Sequence, residues 1–266
     1  MQAQFEKMGA SLKELDFPAN RHWTSPFRLH APAALQTAGR FTVDVRRGTF
    51  MVTKDPDVLT AVVDSRPKDR HLLLMVKAGR NSQKFLCGHD ERDWFVASVP
   101  TNVASVDQAK DSLRPAPVTE ALLKAGVRTH KRHKRHNKAF IRQGEWFFVP
   151  APDLVVSPLL ILKNEPLRRA DGVGKSHMIE ELFRRGGDTV YVHPQHAPGG
   201  VTRSQMVQMI PKGQHHATGW TQMARNPEAY ARGAVKHPDH ATIRLSGWHR
   251  IHMNGEVRTR NLGFLD

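Results

Sequence analysis

Residues 128–150 read RTHKRHKRHNKAFIRQGEWFFVP and divide the chain near its midpoint. Between Arg128 and Arg142 this stretch holds seven Lys or Arg residues, three His residues and no acidic residue. It then changes abruptly to the apolar run WFFV at 146–149. Clustered cations stay in water whereas aromatic runs are buried, so the change predicts the end of a surface segment and the start of a second folding unit.

The architecture predicted from this division is two folded halves with a basic segment between them. Residues 1–127 are assigned to an N-terminal α+β domain, residues 128–144 to a basic connector and residues 145–266 to a C-terminal α+β domain. The fold class is α+β, with two mixed, mainly antiparallel, β-rich halves that contain short helices and are joined by a basic helical or extended segment. The alternating stretch RFTVDVRRGTFMV at 40–52 is typical of paired strands.

Local patterns predict the individual elements. Apolar residues three and four positions apart indicate helices, and alternation or short apolar runs indicate strands. The predicted helices are 5–15, 106–113, 118–124, 177–185 and 203–210, two of them preceded by capping boxes at 105–108 and 202–205. The predicted strands are 58–63, 71–76, 85–87, 94–99, 146–149, 159–162 and 189–192, followed by a hairpin of 241–245 and 248–253.

Charge is the strongest functional signal in the sequence. The 266 residues include 40 Lys or Arg against 25 Asp or Glu, a formal net charge of +15, and such a field concentrates anionic partners. We predict a nucleic-acid-binding protein in an accessory or structural role. RNA is favoured over DNA because no helix-turn-helix or zinc module is recognisable. A basic subunit of a larger protein assembly is an alternative explanation of the same charge.

The basic segment supplies the predicted contacts. Cations along a track bind successive phosphates with salt-dependent affinity. If residues 128–138 are helical, Lys131 and Arg135 share one face of the helix. The three His residues recur every third position, which argues against a single metal site. A solvated linker without a partner is the alternative. The predicted phosphate contacts are Lys131, Arg132, Lys134, Arg135, Lys138 and Arg142.

A second hypothesis is a metal-dependent or His-dependent phosphodiesterase or nuclease. The loop predicted at 88–93 collects His89, Asp90, Glu91 and Arg92 between two strands. An imidazole beside a carboxylate suits general acid–base chemistry or a divalent ion. The predicted catalytic residues are His89, Asp90 and His240. A salt-bridged turn is the alternative interpretation of this loop.

Histidines are frequent in the C-terminal half. His237, Asp239 and His240 would converge on a metal ion if their turn folded suitably, since imidazole and carboxylate are competent ligands. His249 and His252 would lie on opposite faces of a strand and so would not join that site. Dispersed surface histidines are the alternative, and the sequence accordingly predicts no metal site and no cofactor.

Cys87 is the only cysteine, which excludes an intrachain disulfide and any zinc site that needs two thiolates. Its place beside Leu86 predicts a buried structural thiol. The first residues carry Glu6 where a signal peptide needs an apolar core, and no apolar run reaches the ~18 residues of a membrane span. A cytoplasmic location without a membrane partner is predicted.

Four segments spread across the chain carry a resemblance. They are FLCGHDERDWFVASVP at 85–100, FIRQGEWFFV at 140–149, RGGDTVYV at 185–192 and HPDHATIRLSGWHRIHMN at 237–254. These segments resemble a group of uncharacterised bacterial proteins, and the likeness implies a soluble bacterial protein over the full length of the chain. It implies no activity, so no catalytic residue is carried over.

Overall fold

The structure is a computed structural model that describes residues 1–17, 41–168, 175–210 and 219–255. Strands account for 53% and helices for 17% of the described residues, so the protein belongs to the predicted β-rich α+β class. The chain divides into two units by its internal contacts. Among the described residues, unit 1 comprises 1–138 with 239–241 and 253–255, and unit 2 comprises 139–238 and 242–252 where they are described.

Unit 1 is built from two sheets and short helices. A three-stranded sheet has the order β1-β3-β2, with β1 parallel to β3 and β2 antiparallel to it. A four-stranded antiparallel meander has the order β4-β5-β6-β7. The elements are α1 (Gln2–Lys7), β1 (Ser11–Asp16), β2 (Phe41–Arg46), β3 (Thr49–Lys54), β4 (Leu59–Arg66), β5 (His71–Ala78), β6 (Asn81–Asp90), β7 (Asp93–Val99), α2 (Val106–Ser112) and α3 (Ala116–Lys124).

The meander of unit 1 is covered on both faces, because its strands alternate between two apolar clusters. Phe85 and Cys87 of β6 belong to a cluster that includes Phe50 of β3. Leu86, between them, belongs to a second cluster that includes Val106 of α2. Burying each such large side chain contributes about 1.5–3 kcal/mol, so the two clusters hold the sheet in place.

Unit 2 is organised around a six-stranded sheet of order β10-β11-β15-β16-β9-β8. A second, three-stranded sheet has the order β13-β12-β14. The side chains of Trp146, Phe148, Ile179 and Val235 are buried. The elements are β8 (Ile141–Gln143), β9 (Trp146–Pro150), β10 (Leu162–Leu167), β11 (His177–Arg185), β12 (Asp188–His193), β13 (Ala197–Val201), α4 (Arg203–Met209), β14 (Thr221–Arg225), β15 (Glu228–His237) and β16 (His240–Met253), of which residues 242–252 belong to this unit.

The prediction of a helix at 177–185 is wrong, because this segment is strand β11. Met178, Leu182 and Phe183 have helical spacing, but His177 and Ile179 are buried while Met178 and Glu180 are exposed. Pairing with β10 and β15 on both sides supplies the backbone hydrogen bonds. An irregularity in register between residues 179 and 181 shifts the alternation and produces the misleading spacing.

Three other local predictions are wrong. The segment 5–15 divides into α1 and β1, and the intervening Gly9 has a φ of 79° that favours glycine. The apolar run 159–162 forms a 3-10 turn over Pro158–Leu160, with Leu159 95% exposed, instead of a buried strand. The hairpin predicted at 241–253 is the single 14-residue strand β16, which passes through Gly247 without a turn.

Both predicted helix starts at capping residues are correct. Ser105 accepts a hydrogen bond from the Gln108 backbone N–H at the start of α2. Thr202 and Gln205 form the full reciprocal box at the start of α4. Every helix in the described ranges has nine residues or fewer, and none has the length or hydropathy of a membrane span. The cytoplasmic location stays a prediction.

Candidate nucleic-acid interface

The basic loop, defined as residues 128–138, is a series of turns. It contains a 3-10 turn over Thr129–Lys131, continued by a hydrogen bond of 3.2 Å from the Lys134 N–H to the Lys131 carbonyl, and an isolated β-bridge at His136. Like charges three and four residues apart destabilise an α-helix, which accounts for this irregular conformation. The shared helical face considered for Lys131 and Arg135 is therefore not formed.

Arg135 fastens the loop to the end of the β6–β7 hairpin. Its Nη1 lies 2.9 Å from Glu91 Oε1, and its Nη2 pairs with Asp90. Both carboxylate side chains are only 15% exposed, so the guanidinium neutralises two partly desolvated charges at once. A salt-bridged turn is the alternative interpretation of the loop at 88–93. In the structure the cation of the salt bridge is Arg135, which comes from the basic loop.

Glu91 links this ion pair to the start of β16. Its Oε2 accepts a hydrogen bond of 2.9 Å from the Ala241 backbone N–H and lies 3.3 Å from His240 Nδ1. Glu91 adopts a φ of 52° in the two-residue turn between β6 and β7, which marks a backbone held by its surroundings. No separate role for Glu91 is evident in the sequence, because only the fold brings Arg135 and His240 to it.

Arg114 provides a second attachment for the loop. Its side chain is 7% exposed and its Nη1 lies 2.8 Å from Asp111 Oδ1. Its Nη2 lies 3.2 Å from His133 Nδ1 and 3.5 Å from the Arg132 carbonyl. Burial is the main cause that lowers the pKa of His133, which favours the neutral ring that can accept from Arg114.

The side chain of Arg132 also turns back onto the loop. Its Nε lies 3.4 Å from the Val127 carbonyl, and the residue is half-buried. Arg132 and Arg135 are therefore both engaged within unit 1. Of the six predicted phosphate contacts, Arg142 belongs to β8 of unit 2, opposite Phe147, and its Nε is buried.

The remaining cations of the loop face solvent. Lys131, Lys134 and Lys138 are exposed, together with Arg128, which is not among the predicted contacts. Within the described parts of unit 1, none of these four side chains pairs with a carboxylate. The loop thus separates into cations that hold it and cations that remain accessible. Composition alone did not distinguish the two sets.

Two of the three predicted catalytic residues, Asp90 and His240, join the Arg135–Glu91 cluster, whereas His89 packs elsewhere. Asp90 is engaged by Arg135, and His240 contacts Glu91. His89 and Asp90 are consecutive residues of β6, so their side chains point to opposite faces of the sheet. His89 packs edge-on against Trp94 at 4.8 Å, where burial is the main cause that lowers its pKa, followed by the charge of Arg70. The ring of His89 and the carboxylate of Asp90 therefore lie on opposite faces of β6.

Unit 2 contains a separate pair of imidazoles. The rings of His177 and His237 are stacked, with centroids 4.2 Å apart and planes 28° apart. These are residues that can hold a metal ion, and the sequence did not connect them because 60 positions separate them in the chain. Asp239 and His240 follow His237 in the chain, at the turn and the start of β16.

Comparisons of the chain with protein-family models, curated protein sequences and solved structures found no match. The resemblance of four segments to bacterial proteins stays a prediction. The functional interpretation therefore depends on the geometry of the chain's own residues.

Proposed function

We propose that the protein binds nucleic acid, RNA in preference to DNA, through the exposed cations of the basic loop. One observation carries the proposal: Arg128, Lys131, Lys134 and Lys138 are exposed on a loop that Arg114 and Arg135 fasten to the rest of unit 1. A loop held in this way loses less conformational entropy on binding than a free chain.

The spacing of these cations suits a polyanion. They recur every three or four residues over an 11-residue loop that contains no acid. Several weak phosphate contacts then act together, and each releases condensed counterions from the nucleic acid. The net charge of +15 adds a long-range attraction that accelerates the encounter. The proposed contacts carry no information on base sequence.

The helices next to the loop favour backbone binding over reading of the DNA major groove. The pair α2 and α3 is joined by three residues, as in a helix-turn-helix, but the exposed face of α3 carries Glu120 and only one cation, Lys124. A recognition helix usually places several polar and basic side chains against base edges. Single-stranded or structured RNA is accordingly the preferred partner.

The test is binding to labelled single-stranded RNA, single-stranded DNA and duplexes of equal length across a range of salt. Four phosphate contacts give a slope of log affinity against log salt of roughly −2.8 for a single strand. A variant with Arg128, Lys131, Lys134 and Lys138 changed to Gln is expected to lose most of this slope and to bind far more weakly.

A matched variant controls for loss of charge in general. Arg47, Lys68, Lys77 and Arg80 are exposed cations of unit 1 outside the basic loop, and their change to Gln removes the same four charges. This control variant should retain most of the salt slope. Equal losses in the two variants, or affinity that is independent of salt in the natural chain, would overturn the proposal.

The same purified protein and labelled nucleic acids also test the two alternative functions, a phosphodiesterase and a basic subunit of a protein assembly. Cleavage of the labelled RNA or DNA in the presence of Mg²⁺, Mn²⁺ or Zn²⁺ would favour the phosphodiesterase, which stays a prediction. Copurification with a defined protein and without nucleic acid would favour a basic subunit of an assembly.

A further inference from the structure

We infer that His177 and His237 of unit 2 are two ligands of a divalent transition-metal ion. Neither residue belongs to the basic loop, and the inference does not depend on the proposed nucleic-acid binding. Imidazole nitrogen is a preferred ligand of Zn²⁺, Ni²⁺, Cu²⁺ and Co²⁺, and these ions form the expected class of ligand.

The two residues face each other at the same end of neighbouring strands. His177 begins β11 and His237 ends β15, and these strands pair in antiparallel register with Met178 opposite Lys236. Extending that register by one position brings His177 opposite His237. Directly opposite side chains of an antiparallel pair have Cβ atoms about 4.5–5.5 Å apart, so both rings project to the same place.

The distance between the rings suits one bound ion. Their potential ligand nitrogens lie within 4.8 Å of each other. With metal–nitrogen bonds of about 2.0–2.1 Å, two nitrogens on one tetrahedral ion lie roughly 3.4 Å apart. Because the planes of the stacked rings are only 28° apart, binding one ion requires rotation about the side-chain torsions, so that the in-plane nitrogen lone pairs converge.

The hydrogen bond of His237 resembles the outer shell of a metal site. Its Nε2 lies 3.2 Å from the Lys175 carbonyl oxygen. A carbonyl only accepts, so Nε2 carries the proton in this hydrogen bond and Nδ1 is the unprotonated nitrogen. Metal-binding histidines commonly donate their second ring N–H to a carbonyl or carboxylate in this way, which orients the ring.

Burial adds a reason for strong binding. His177 is 1% exposed, with its ring 6.3 Å from that of Trp146, whereas His237 is half-buried. Water competes less with a buried ligand than with an exposed one. Two stacked rings without a metal are the competing interpretation, and metal titration distinguishes the two.

The experiment uses the full chain after treatment with a chelator. Titration with Co²⁺ is followed by its visible ligand-field absorption, and Zn²⁺ affinity is measured by competition with a chromophoric chelator. One ion is expected to bind tightly. Because the chain has 16 His residues, a matched control is essential. The double variant His177→Ala/His237→Ala is compared with His130→Ala/His136→Ala, which removes two exposed rings of the basic loop.

The expected result is a loss of Zn²⁺ affinity of at least ~10-fold in the first double variant and none in the control, since even outer-shell changes cost that much. Unchanged affinity in the first variant would overturn the inference. Changing the buried His177 can also affect folding. The single variant His237→Gln keeps His177 and therefore provides a second test. Zn²⁺ should raise the melting temperature of the natural chain but not that of His237→Gln, and equal shifts in both would also overturn it.

Discussion

Arg135 and Glu91 are joined by an ion pair of 2.9 Å between Nη1 and Oε1, which attaches the basic loop to the β6–β7 hairpin. The same guanidinium pairs with Asp90. Arg135 therefore helps to hold the basic loop in place. Its guanidinium is already paired with two carboxylates, so it is less accessible to a phosphate than the exposed lysines of the loop.

Breaking this ion pair should lower the stability of unit 1. Arg135→Gln leaves the Asp90 and Glu91 carboxylates, each 15% exposed, without their cation. We expect a loss of about 1–2 kcal/mol in the free energy of unfolding, between the values for exposed and buried pairs. Urea unfolding of Arg135→Gln, Glu91→Gln and the double variant measures the coupling. Additive effects of the two changes would contradict the pairing.

A single exposed lysine should affect binding and not folding. Lys131→Gln is expected to reduce the salt slope for single-stranded RNA by about 0.7, the contribution of one phosphate contact. The free energy of unfolding should stay within ~0.5 kcal/mol of the natural chain, because Lys131 is exposed. Lys77→Gln is the control. A full salt slope in the Lys131 variant would remove this residue from the interface.

Gly88 should not tolerate a side chain. A Cβ added there would lie 2.5 Å from His71 Cδ2 and 2.8 Å from Phe95 Cζ, far inside van der Waals contact. Gly88→Ala is expected to cost about 1–3 kcal/mol by overpacking, measured by urea unfolding. Gly247→Ala, in β16 with no atom within 4 Å of the new Cβ, is the control. Equal stability of the two variants would show that the ring of His71 moves aside.

Stability should fall as the pH decreases from about 6.5 to about 4. Burial, followed by the charge of Arg250, lowers the pKa of His252 to about 4, while Glu228 opposes the shift. The unfolded chain then binds a proton that the folded chain does not, and this destabilises the fold through that window. His252→Phe should show less of this pH dependence than the natural chain in urea unfolding at pH 7 and pH 5. An identical pH dependence would exclude His252 as a cause.

Cys87 should be unreactive in the folded chain. Its side chain is 0% exposed, and burial raises the pKa of its thiol far above the usual range. The thiolate is the nucleophile, so a thiol reagent should modify Cys87 only after denaturation. Rapid modification of the native chain would indicate that the core of the meander opens.

Much of unit 1 could be predicted because local and tertiary signals agree there. Short apolar runs between polar turns predicted the meander strands, and Ser105 begins α2 as its sequence indicates. In unit 2 the two signals disagree. The helical spacing of Met178 and Leu182 was overridden by pairing with β10 and β15, since a central strand gains hydrogen bonds from both neighbours.

The sequence by itself determined the charge, the absence of disulfides and the position of the basic loop, because these depend only on composition and order along the chain. Only the tertiary structure decided which cations of that loop are accessible. Arg135 meets Glu91 across 44 positions and His177 meets His237 across 60, and neither pairing has a local signature. Ion pairs and metal ligands depend on distance in space, which the fold alone sets.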